Sequence, residues 1–296
     1  MTLGLALSGG ALRGVAHIGV LQALQEPNIP IQMISGCSAG ALVAGAYASG
    51  TPASVLRARA LRLGSSILDL NTLGAARAIV SRFTGQPVRL AGIFRGEALH
   101  RLAYELTGGL TLDEIPMPLA IVSLDLLSGR AVYFTNGTVN GKEWVVEREA
   151  LAADAICASS AIPAVFVPRQ LGPYLLVDGG AVDSVPSAIL RAMGADVVVS
   201  VDLGQLEHHA QPPSDILEIT TRSYDLTSRK LVGFTNRKAD YTIAPLVDDI
   251  GLFDFTRTEE CIQRGYEAAK KAIPALKAAI LGATPLRRST IAARAR

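Results

Sequence analysis

Short apolar segments alternate along the chain with longer segments rich in alanine and leucine. The short segments predict strands at Leu3–Leu7, Ile31–Ser35, Leu119–Leu124, Arg130–Phe134, Tyr174–Val177, Asp196–Asp202 and Asp240–Ile243. The longer segments predict helices at Val15–Gln25, Ala41–Ala48, Pro52–Leu63, Glu97–Leu106, Glu147–Ala155, Val185–Met193 and Thr258–Ile280. Buried strands separated by helices are typical of a mostly parallel sheet with helices on both faces. The pattern therefore predicts an α/β fold, and the lack of an internal repeat or low-complexity linker favours one domain over residues 1–296.

Composition and charge exclude several classes of function. The chain has 296 residues, 49% of them hydrophobic, and a net charge of +2, which gives no argument for nucleic acid as a partner. The three cysteines, Cys37, Cys157 and Cys261, are widely spaced and predict buried free thiols, neither disulfides nor a metal site. The first residues contain no basic leader, and no run of about 18 apolar residues occurs. We therefore expect a cytoplasmic protein without a signal peptide, a spanning helix, a metal or a cofactor.

One segment, residues 57–101, is basic and amphipathic and predicts a cap. It holds eight arginines but only two acidic residues, Asp69 and Glu97, with apolar residues between them. The arginines are expected to be solvated, as charged helix faces usually are. A more specific interpretation is that the segment forms a lid that contacts anionic lipid headgroups. Peripheral contact with a membrane surface is therefore a second possibility for this segment. A second basic stretch, residues 284–296, predicts a flexible tail.

The strongest candidate for a nucleophile is Ser38, in the sequence Gly36-Cys37-Ser38-Ala39-Gly40. This pattern follows a predicted strand and opens a predicted helix, so the serine lies on a sharp strand-to-helix turn. Such a turn forces strained backbone geometry, which the flanking glycines accommodate because they carry no side chain. The positive end of the helix favours the negative charge that develops during acyl transfer.

A second strand-to-helix turn, residues 8–14 with the sequence SGGALRG, predicts an anion-binding loop. Backbone N–H groups exposed in such a loop form a nest for a phosphate or a tetrahedral oxyanion. The glycine spacing fits neither common nucleotide-binding pattern, which weakens the phosphate interpretation. Because Ser38 follows the next strand along the chain, we expect the N–H groups of Gly9, Gly10 and Ala11 to lie near it. Arg13 is expected to brace the loop, to direct positive charge toward the oxyanion, or to be an ordinary surface arginine.

The candidate base is Asp178, which follows the predicted strand Tyr174–Val177 and precedes Gly179 and Gly180. An Asp-Gly pair is also a common turn, but the histidines stand in positions typical of structural or solvated residues: His17, His100, His208 and His209. A free aspartate has a pKa near ~4, and partial burial is expected to raise it and so strengthen the base. The two glycines let the backbone pass close to the nucleophile.

Together these motifs resemble the bacterial intracellular branch of the patatin-like phospholipase family. The segment from Ala6 to Leu21, which includes Gly14, is similar to the family's oxyanion segment, and Gly36–Ala41 resembles its nucleophile elbow. Residues 123–129, 158–163, 177–180 and 185–186 resemble its later motifs. The resemblance implies a three-layer α/β/α sandwich and a Ser38–Asp178 dyad that needs neither histidine nor metal. It also implies a lipid substrate, with hydrolysis of acyl esters of phospholipids, lysophospholipids or neutral lipids through an acyl-enzyme intermediate.

Two residues depart from the family pattern, and two other interpretations stay open. Ala11 stands where the family often has a third glycine, and Cys37 where it commonly has threonine; neither change removes a reacting group. An ordinary α/β-hydrolase would use Ser38, Asp178 and His208 or His209 in that order, although its fold normally builds several strands before the nucleophile. A catalytically silent lipid-binding module would keep the two loops as an anion nest.

Overall fold

The computed structural model describes residues 1–74, 76, 91–204, 212–252, 254–280 and 289–291. Its strands are β1 (Leu3–Leu7), β2 (Met33–Gly36), β3 (Leu119–Asp125), β4 (Ala131–Thr135), β5 (Val145–Glu147), β6 (Arg169–Leu171), β7 (Tyr174–Asp178), β8 (Val197–Val201), β9 (Tyr241–Ile243) and β10 (Ser289–Ile291). Its helices are α1 (Ala16–Gln25), α2 (Ala39–Ala48), α3 (Ala53–Ala60), α4 (Glu97–Leu106), α5 (Ala152–Ser159), α6 (Ser187–Ala192), α7 (Ile216–Thr235) and α8 (Thr258–Ile280).

The strands form one sheet whose main path is β10-β9-β8-β1-β2-β3-β4-β5. Neighbours from β10 to β3 are parallel, whereas β4 is antiparallel to β3 and carries β5 at its edge. All five residues of β1 and of β8 are buried, because helices cover a parallel sheet on both of its faces. The predicted α/β fold with a mostly parallel central sheet is confirmed.

Helices cover both faces of this sheet. Leu3, Leu5 and Leu7 of β1 belong to the main hydrophobic core, together with residues of α1, α2 and α8. Successive side chains of a strand point to opposite faces, and Ala6 accordingly packs with Val198 in a second cluster that includes residues of α6 and α7. The sheet is thus the middle of three layers, as the resemblance implied.

Two strands meet end to end along one edge of β3, and this arrangement positions the site. β2 runs parallel to β3 and ends with Gly36 opposite Ile121. β7 runs antiparallel to β3 and ends with Asp178 opposite Ser123. It shares the edge used by β2, because β4 occupies the other edge of β3. Ile121 and Ser123 are two positions apart, roughly 7 Å along the strand, so the segments that leave β2 and β7 emerge side by side.

The helices α5 and α7 differ from the sequence-based prediction, and the pattern predicts none of the short strands β5, β6 and β10, the last of which pairs with β9 within the segment predicted as a flexible tail. The helix predicted over Glu147–Ala155 begins only at Ala152, because Val145–Glu147 adds edge strand β5 to β4. The pattern predicts no helix over Ile216–Thr235, where the structure has the 20-residue helix α7. Its Ser, Thr and β-branched residues have weak helical preference. The Asp215 side chain caps this helix by accepting the N–H of Glu218 at 2.8 Å.

The predicted cap and tail fall partly outside the described residues. Of the cap, residues 75 and 77–90 are not among them, and of the tail over 284–296 only residues 289–291 are. The described part of the cap contributes α3 and α4, and Arg59 of α3 pairs at the surface with Glu105 of α4. Cys37, Cys157 and Cys261 are buried and free, as predicted. Among the described helices, none is long and apolar enough to cross a membrane.

Candidate active site

Ser38 lies on the sharp turn between β2 and α2, with φ 54° and ψ −123°. Positive φ is uncommon for a residue with a side chain, and such strain costs of order 1–3 kcal/mol unless the surroundings hold it. The Ser38 N–H donates to Ser159 Oγ at 2.9 Å, and the Ser159 hydroxyl donates to the Val122 carbonyl at 2.6 Å. This relay fixes the strained turn to α5 and to β3.

Glycines on either side of Ser38 allow the turn to lie against β1. A Cβ at Gly40 would lie 2.5 Å from the carbonyl oxygens of Leu7 and Ser8, and one at Gly36 would lie 2.4 Å from the Gly40 carbonyl oxygen. A side chain at either position would therefore force the backbone apart. Three further motif glycines also have close neighbours at the position of a Cβ: Gly14, Gly179 and Gly180.

Asp178, the last residue of β7, is buried beside Ser38 with its carboxyl held through one oxygen. Oδ1 accepts the N–H of Gly180 at 2.8 Å and the hydroxyl of Tyr224 at 3.0 Å, and the Cys37 thiol lies 3.7 Å away. Ser38 is close enough to this carboxyl to lower its pKa. Within the described chain no hydrogen bond engages Oδ2, which leaves this oxygen available to a further donor.

Burial raises the pKa of Asp178 above the ordinary value, because desolvation disfavours the charged carboxylate. Hydrogen bonds from Ser38, Gly180 and Tyr224 act in the opposite direction and stabilise that charge. A carboxylate with a raised pKa is a stronger base, which suits proton abstraction from a hydroxyl near neutral pH.

The N-terminal glycine loop lies directly beside Ser38. A Cβ built on Gly9 would lie 3.5 Å from the Cβ of Ser38. The Gly9 N–H is already used, because it donates to the Ser184 carbonyl at 3.1 Å. No hydrogen bond within the described residues uses the N–H of Gly10 or Ala11, which leaves these two as donors for an anion. Ala11 has φ 50°, in the left-handed region that glycine adopts without strain.

Arg13 and His17 hold this loop in place through hydrogen bonds to backbone carbonyl oxygens. Arg13 is buried, and its guanidinium donates to the carbonyls of Ile250 at 2.7 Å and Asp248 at 3.0 Å. These contacts are those of a brace and not of the ordinary surface arginine, whereas the expectation that Arg13 directs positive charge toward the oxyanion stays a prediction. His17 Nε2 lies 2.8 Å from the Ser8 carbonyl oxygen. Burial lowers the pKa of His17 to about 4, so the neutral ring donates this bond.

No histidine of the described ranges contacts Ser38 or Asp178. His100 Nε2 lies 2.9 Å from Asp154 Oδ1, in a pair between α4 and α5. His208 and His209, which the alternative triad would need, lie outside the described residues.

Ser38 lies where two pockets meet. One has a volume of about 140 Å³ and walls that are almost entirely apolar, including Leu42, Leu56, Leu102, Phe166 and Phe255. The other, of about 60 Å³, is also largely apolar, but its walls include the side chains of Asp178 and Tyr224. Four residues line both pockets: Ala11, Ser38, Ile162 and Leu252. An ester at Ser38 would therefore have a separate compartment for each of its two halves.

Sequence reasoning missed two residues that hold this arrangement, Tyr224 and Ser159. Ser159 lies within residues 158–163, which resemble a family motif, but the sequence pattern assigns no role to its side chain. Tyr224 lies on α7, and its one local signal is the capping pair Asp215 and Glu218, which marks the start of a helix. That signal predicts the helix but not which side chain reaches Asp178.

Comparison with known proteins places these motifs in a larger group. The chain matches the family model described as patatin-like phospholipase over residues 5–191. An uncharacterized NTE family protein of Mycobacterium bovis is 33% identical over 203 residues, which cover 69% of this chain and 49% of that protein. An uncharacterized NTE family protein of Mycobacterium tuberculosis is 27% identical over 300 residues, which cover 93% of this chain and 47% of that protein. The chain thus spans about half the length of these relatives.

A mammalian relative and one solved structure extend the comparison. Patatin-like phospholipase domain-containing protein 6 of Mus musculus is 26% identical over 203 residues, covering 69% of this chain and 14% of that protein. The crystal structure of VipD from Legionella pneumophila has a TM-score of 0.49 at 15% identity, covering 93% of this chain and 67% of that chain. The family match includes both glycine-rich turns and Asp178, and it spans well over half of the sequence. The chain belongs to the patatin-like phospholipase family.

Proposed function

We propose that the chain is a serine acyl-hydrolase that cleaves fatty-acyl ester bonds of lipids through Ser38 and Asp178. The observation that carries this proposal is the convergence of β2 and β7, which brings a strained serine and a buried carboxyl together where two pockets meet. Membership of the patatin-like phospholipase family supports lipid acyl hydrolysis as the class of reaction.

In the acylation half, Asp178 accepts the hydroxyl proton of Ser38 as Oγ attacks the ester carbonyl carbon. The tetrahedral intermediate carries its charge on the former carbonyl oxygen, to which the N–H groups of Gly10 and Ala11 donate. The intermediate collapses by breaking its bond to the alcohol oxygen, which takes the proton back from Asp178 and leaves. The acyl group remains on Ser38 as an ester.

In the deacylation half, Asp178 accepts a proton from water while the water oxygen attacks the acyl-enzyme. Collapse releases the fatty acid and returns the proton to Ser38 Oγ, so one carboxyl acts as base and acid in both halves. The acyl chain occupies the apolar pocket, where burial contributes about 0.8 kcal/mol for each CH₂ group. The smaller pocket, which contains Asp178, takes the alcohol and then the water.

A fluorophosphonate probe tests this assignment, because it is attacked by an activated serine and forms a stable adduct. We expect peptide mass mapping to find the adduct on Ser38, and oleate to be released from oleoyl esters. A double variant, His208→Gln with His209→Gln, is the control for the triad alternative and should label at the wild-type rate. Lipid binding by the folded protein, with neither adduct nor oleate release, would instead favour the silent binding module.

Tyr224 is proposed as a positioning residue that acts through Asp178. Its hydroxyl lies 3.0 Å from Asp178 Oδ1 and 3.2 Å from the Asp178 carbonyl oxygen. This hydrogen bond lowers the pKa of Asp178, so Tyr224→Phe should raise that pKa. A hydrogen bond to a charged group is worth about 1.5–3 kcal/mol, or about one pKa unit or more. We expect the acidic limb of the kcat/KM profile to move to higher pH by about one unit.

Tyr133→Phe is the matched control, because it removes an equivalent buried hydroxyl from a different carboxylate. Tyr133 donates to Asp183 Oδ2 at 2.9 Å and has no contact with Asp178. This variant should leave the pH profile where it is. An unmoved acidic limb in Tyr224→Phe, with melting temperature equal to wild type, would exclude the positioning role.

A further inference from the structure

The N-terminal glycine loop, residues 8–14, is held by a segment far from it in sequence, residues 248–252. Three hydrogen bonds join the two: from Arg13 Nη2 to the Asp248 carbonyl at 3.0 Å, from Arg13 Nε to the Ile250 carbonyl at 2.7 Å, and from the Leu12 N–H to the Leu252 carbonyl at 3.1 Å. Their donors directly follow Gly10 and Ala11, whose N–H groups are the proposed oxyanion donors. The place of these N–H groups therefore depends on where residues 248–252 lie.

The side chain of Asp248 ties this segment to helix α7. Asp248 Oδ1 accepts from Arg229 Nη1 at 2.8 Å, and the two side chains are 4% and 6% exposed. Arg229 also pairs with Asp225, one turn earlier on α7, at 2.9 Å, which orients the guanidinium. Salt and water screen such a buried pair much less than an exposed one. The pair therefore fixes residues 248–252 to the helix.

The same helix also holds the proposed base. Tyr224 donates to Asp178 Oδ1 at 3.0 Å. It precedes Arg229 by five residues, which is about 7.5 Å along a helix that rises 1.5 Å per residue. Helix α7 thus contacts the base directly and reaches the glycine loop through Asp248. One rigid element relates the position of the base to that of the oxyanion donors.

We propose that Asp248 is a positioning residue, which sets the place of the oxyanion donors relative to Asp178 by linking residues 248–252 to α7. The inference rests on the proposed function and adds a residue beyond the family match, which ends at residue 191. Asp248 lines neither of the two pockets beside Ser38. Loss of its side chain should therefore slow acyl transfer but leave substrate affinity and the pKa of Asp178 unchanged.

Asp248→Ala tests this link, and Asp249→Ala is the matched control. Asp249 is the next residue of the same segment, but its carboxylate pairs at the surface with Arg257 and with Arg264 of α8. Removing one oxyanion donor usually slows an enzyme more than a hundredfold, so for displaced donors we expect kcat on p-nitrophenyl oleate to fall about tenfold or more. KM should stay within about twofold, and the acidic limb of the kcat/KM profile should not move. Asp249→Ala should keep the wild-type kcat.

Fluorophosphonate titration separates positioning from damage to the fold. If Asp248 positions the loop, every chain of Asp248→Ala labels, but about tenfold more slowly or less, because phosphonyl transfer uses the same N–H donors. A reduced labelled fraction that reacts at the wild-type rate would show a purely structural role and overturn the inference. Complete labelling at the wild-type rate, or the shift of the acidic limb expected for Tyr224→Phe, overturns it too. These outcomes leave the hydrolase intact, whereas wild type that does not label overturns the proposed function as well.

Two further variants test the same link if Asp248→Ala does not fold. Asp248→Asn keeps an oxygen for the Arg229 N–H and should retain at least about a third of the wild-type kcat. Arg229→Lys keeps a positive charge beside Asp225 and Asp248 but lacks the planar fork that engages both, so its kcat should fall more than about threefold. The inference is overturned if Arg229→Lys keeps the wild-type kcat, or if Asp248→Asn turns over more slowly than Arg229→Lys.

Discussion

Replacing Ser38 with alanine should reduce fatty-acid release roughly 10⁴-fold or more and remove fluorophosphonate labelling altogether. In the proposed mechanism the variant lacks the oxygen that forms the acyl-enzyme, so what remains is the stabilisation that the pocket and the N–H groups of Gly10 and Ala11 would give to attack by water. The measurement is oleate release at saturating substrate, together with intact mass after exposure to the probe. Substrate binding should persist, because the apolar pocket is unchanged.

The control for this variant is Ser54→Ala, which removes a hydroxyl from an exposed position on α3 and should behave as wild type. The fold should survive Ser38→Ala, since alanine and serine meet the same strain at φ 54°. Residual hydrolysis above a few per cent of wild type, in a preparation free of other esterases, would show that another group is the nucleophile. Ser160, Ser184 and Ser228, which line the two pockets beside Ser38, would then be the serines to examine.

Much of the fold could be predicted because its strongest signals are local. β1, α4 and α8 begin and end at the predicted residues, since a five-residue apolar run and two strongly amphipathic segments leave little ambiguity. The local pattern predicts the start of α5 too early, because Val145–Glu147 is stabilised as a strand only by pairing with β4. α7 has weak helical preference, and among its residues only Ser228 and Val232 are buried, so it carries little of the apolar pattern that marks a core helix.

The proposed reacting residues stand out in the sequence for the same reason, whereas the residues that support them do not. Ser38 and Asp178 each stand in a short glycine-bounded turn after a strand, and that local pattern indicates chemistry. Tyr224 reaches Asp178 across 46 positions of sequence, and Ser184 takes the N–H of Gly9 across 175. Contacts over such separations depend on how the helices and loops pack on the completed sheet, which the local pattern does not specify.

Replacing Asp178 with asparagine should lower kcat about 10²–10⁴-fold, the usual contribution of a general base. Asparagine is a close structural replacement here. Its Oδ1 still accepts from Gly180 and Tyr224, and only the group facing Ser38 changes, from a proton acceptor to an N–H donor. Labelling by fluorophosphonate should slow by a similar factor, because the same proton must leave Ser38. Retention of more than a tenth of wild-type turnover would exclude Asp178 as the base.

Asp183→Asn provides the matched control for the loss of a buried carboxylate. Asp183 is 5% exposed and accepts from Tyr133, and burial raises its pKa to about 6. It lies only five positions after Asp178 but has no contact with Ser38, so its variant should retain most activity. A loss as large as that of Asp178→Asn would mean that the site needs its local charge, not a base at position 178.

The stability of Asp178→Asn separates a catalytic role from a structural one. Burial raises the pKa of Asp178 in the folded state above its unfolded value near ~4. The folded state therefore binds the proton more tightly, and wild type loses stability as pH rises through that raised pKa. Asparagine carries no charge to desolvate, so the variant should melt at a higher temperature than wild type at pH 8, and the difference should vanish below about pH 4. A carboxylate retained for stability would give the opposite order. We expect the variant to have a higher melting temperature than wild type but a turnover at least a hundredfold lower. This combination is expected when a catalytic base is buried at a cost in folding stability.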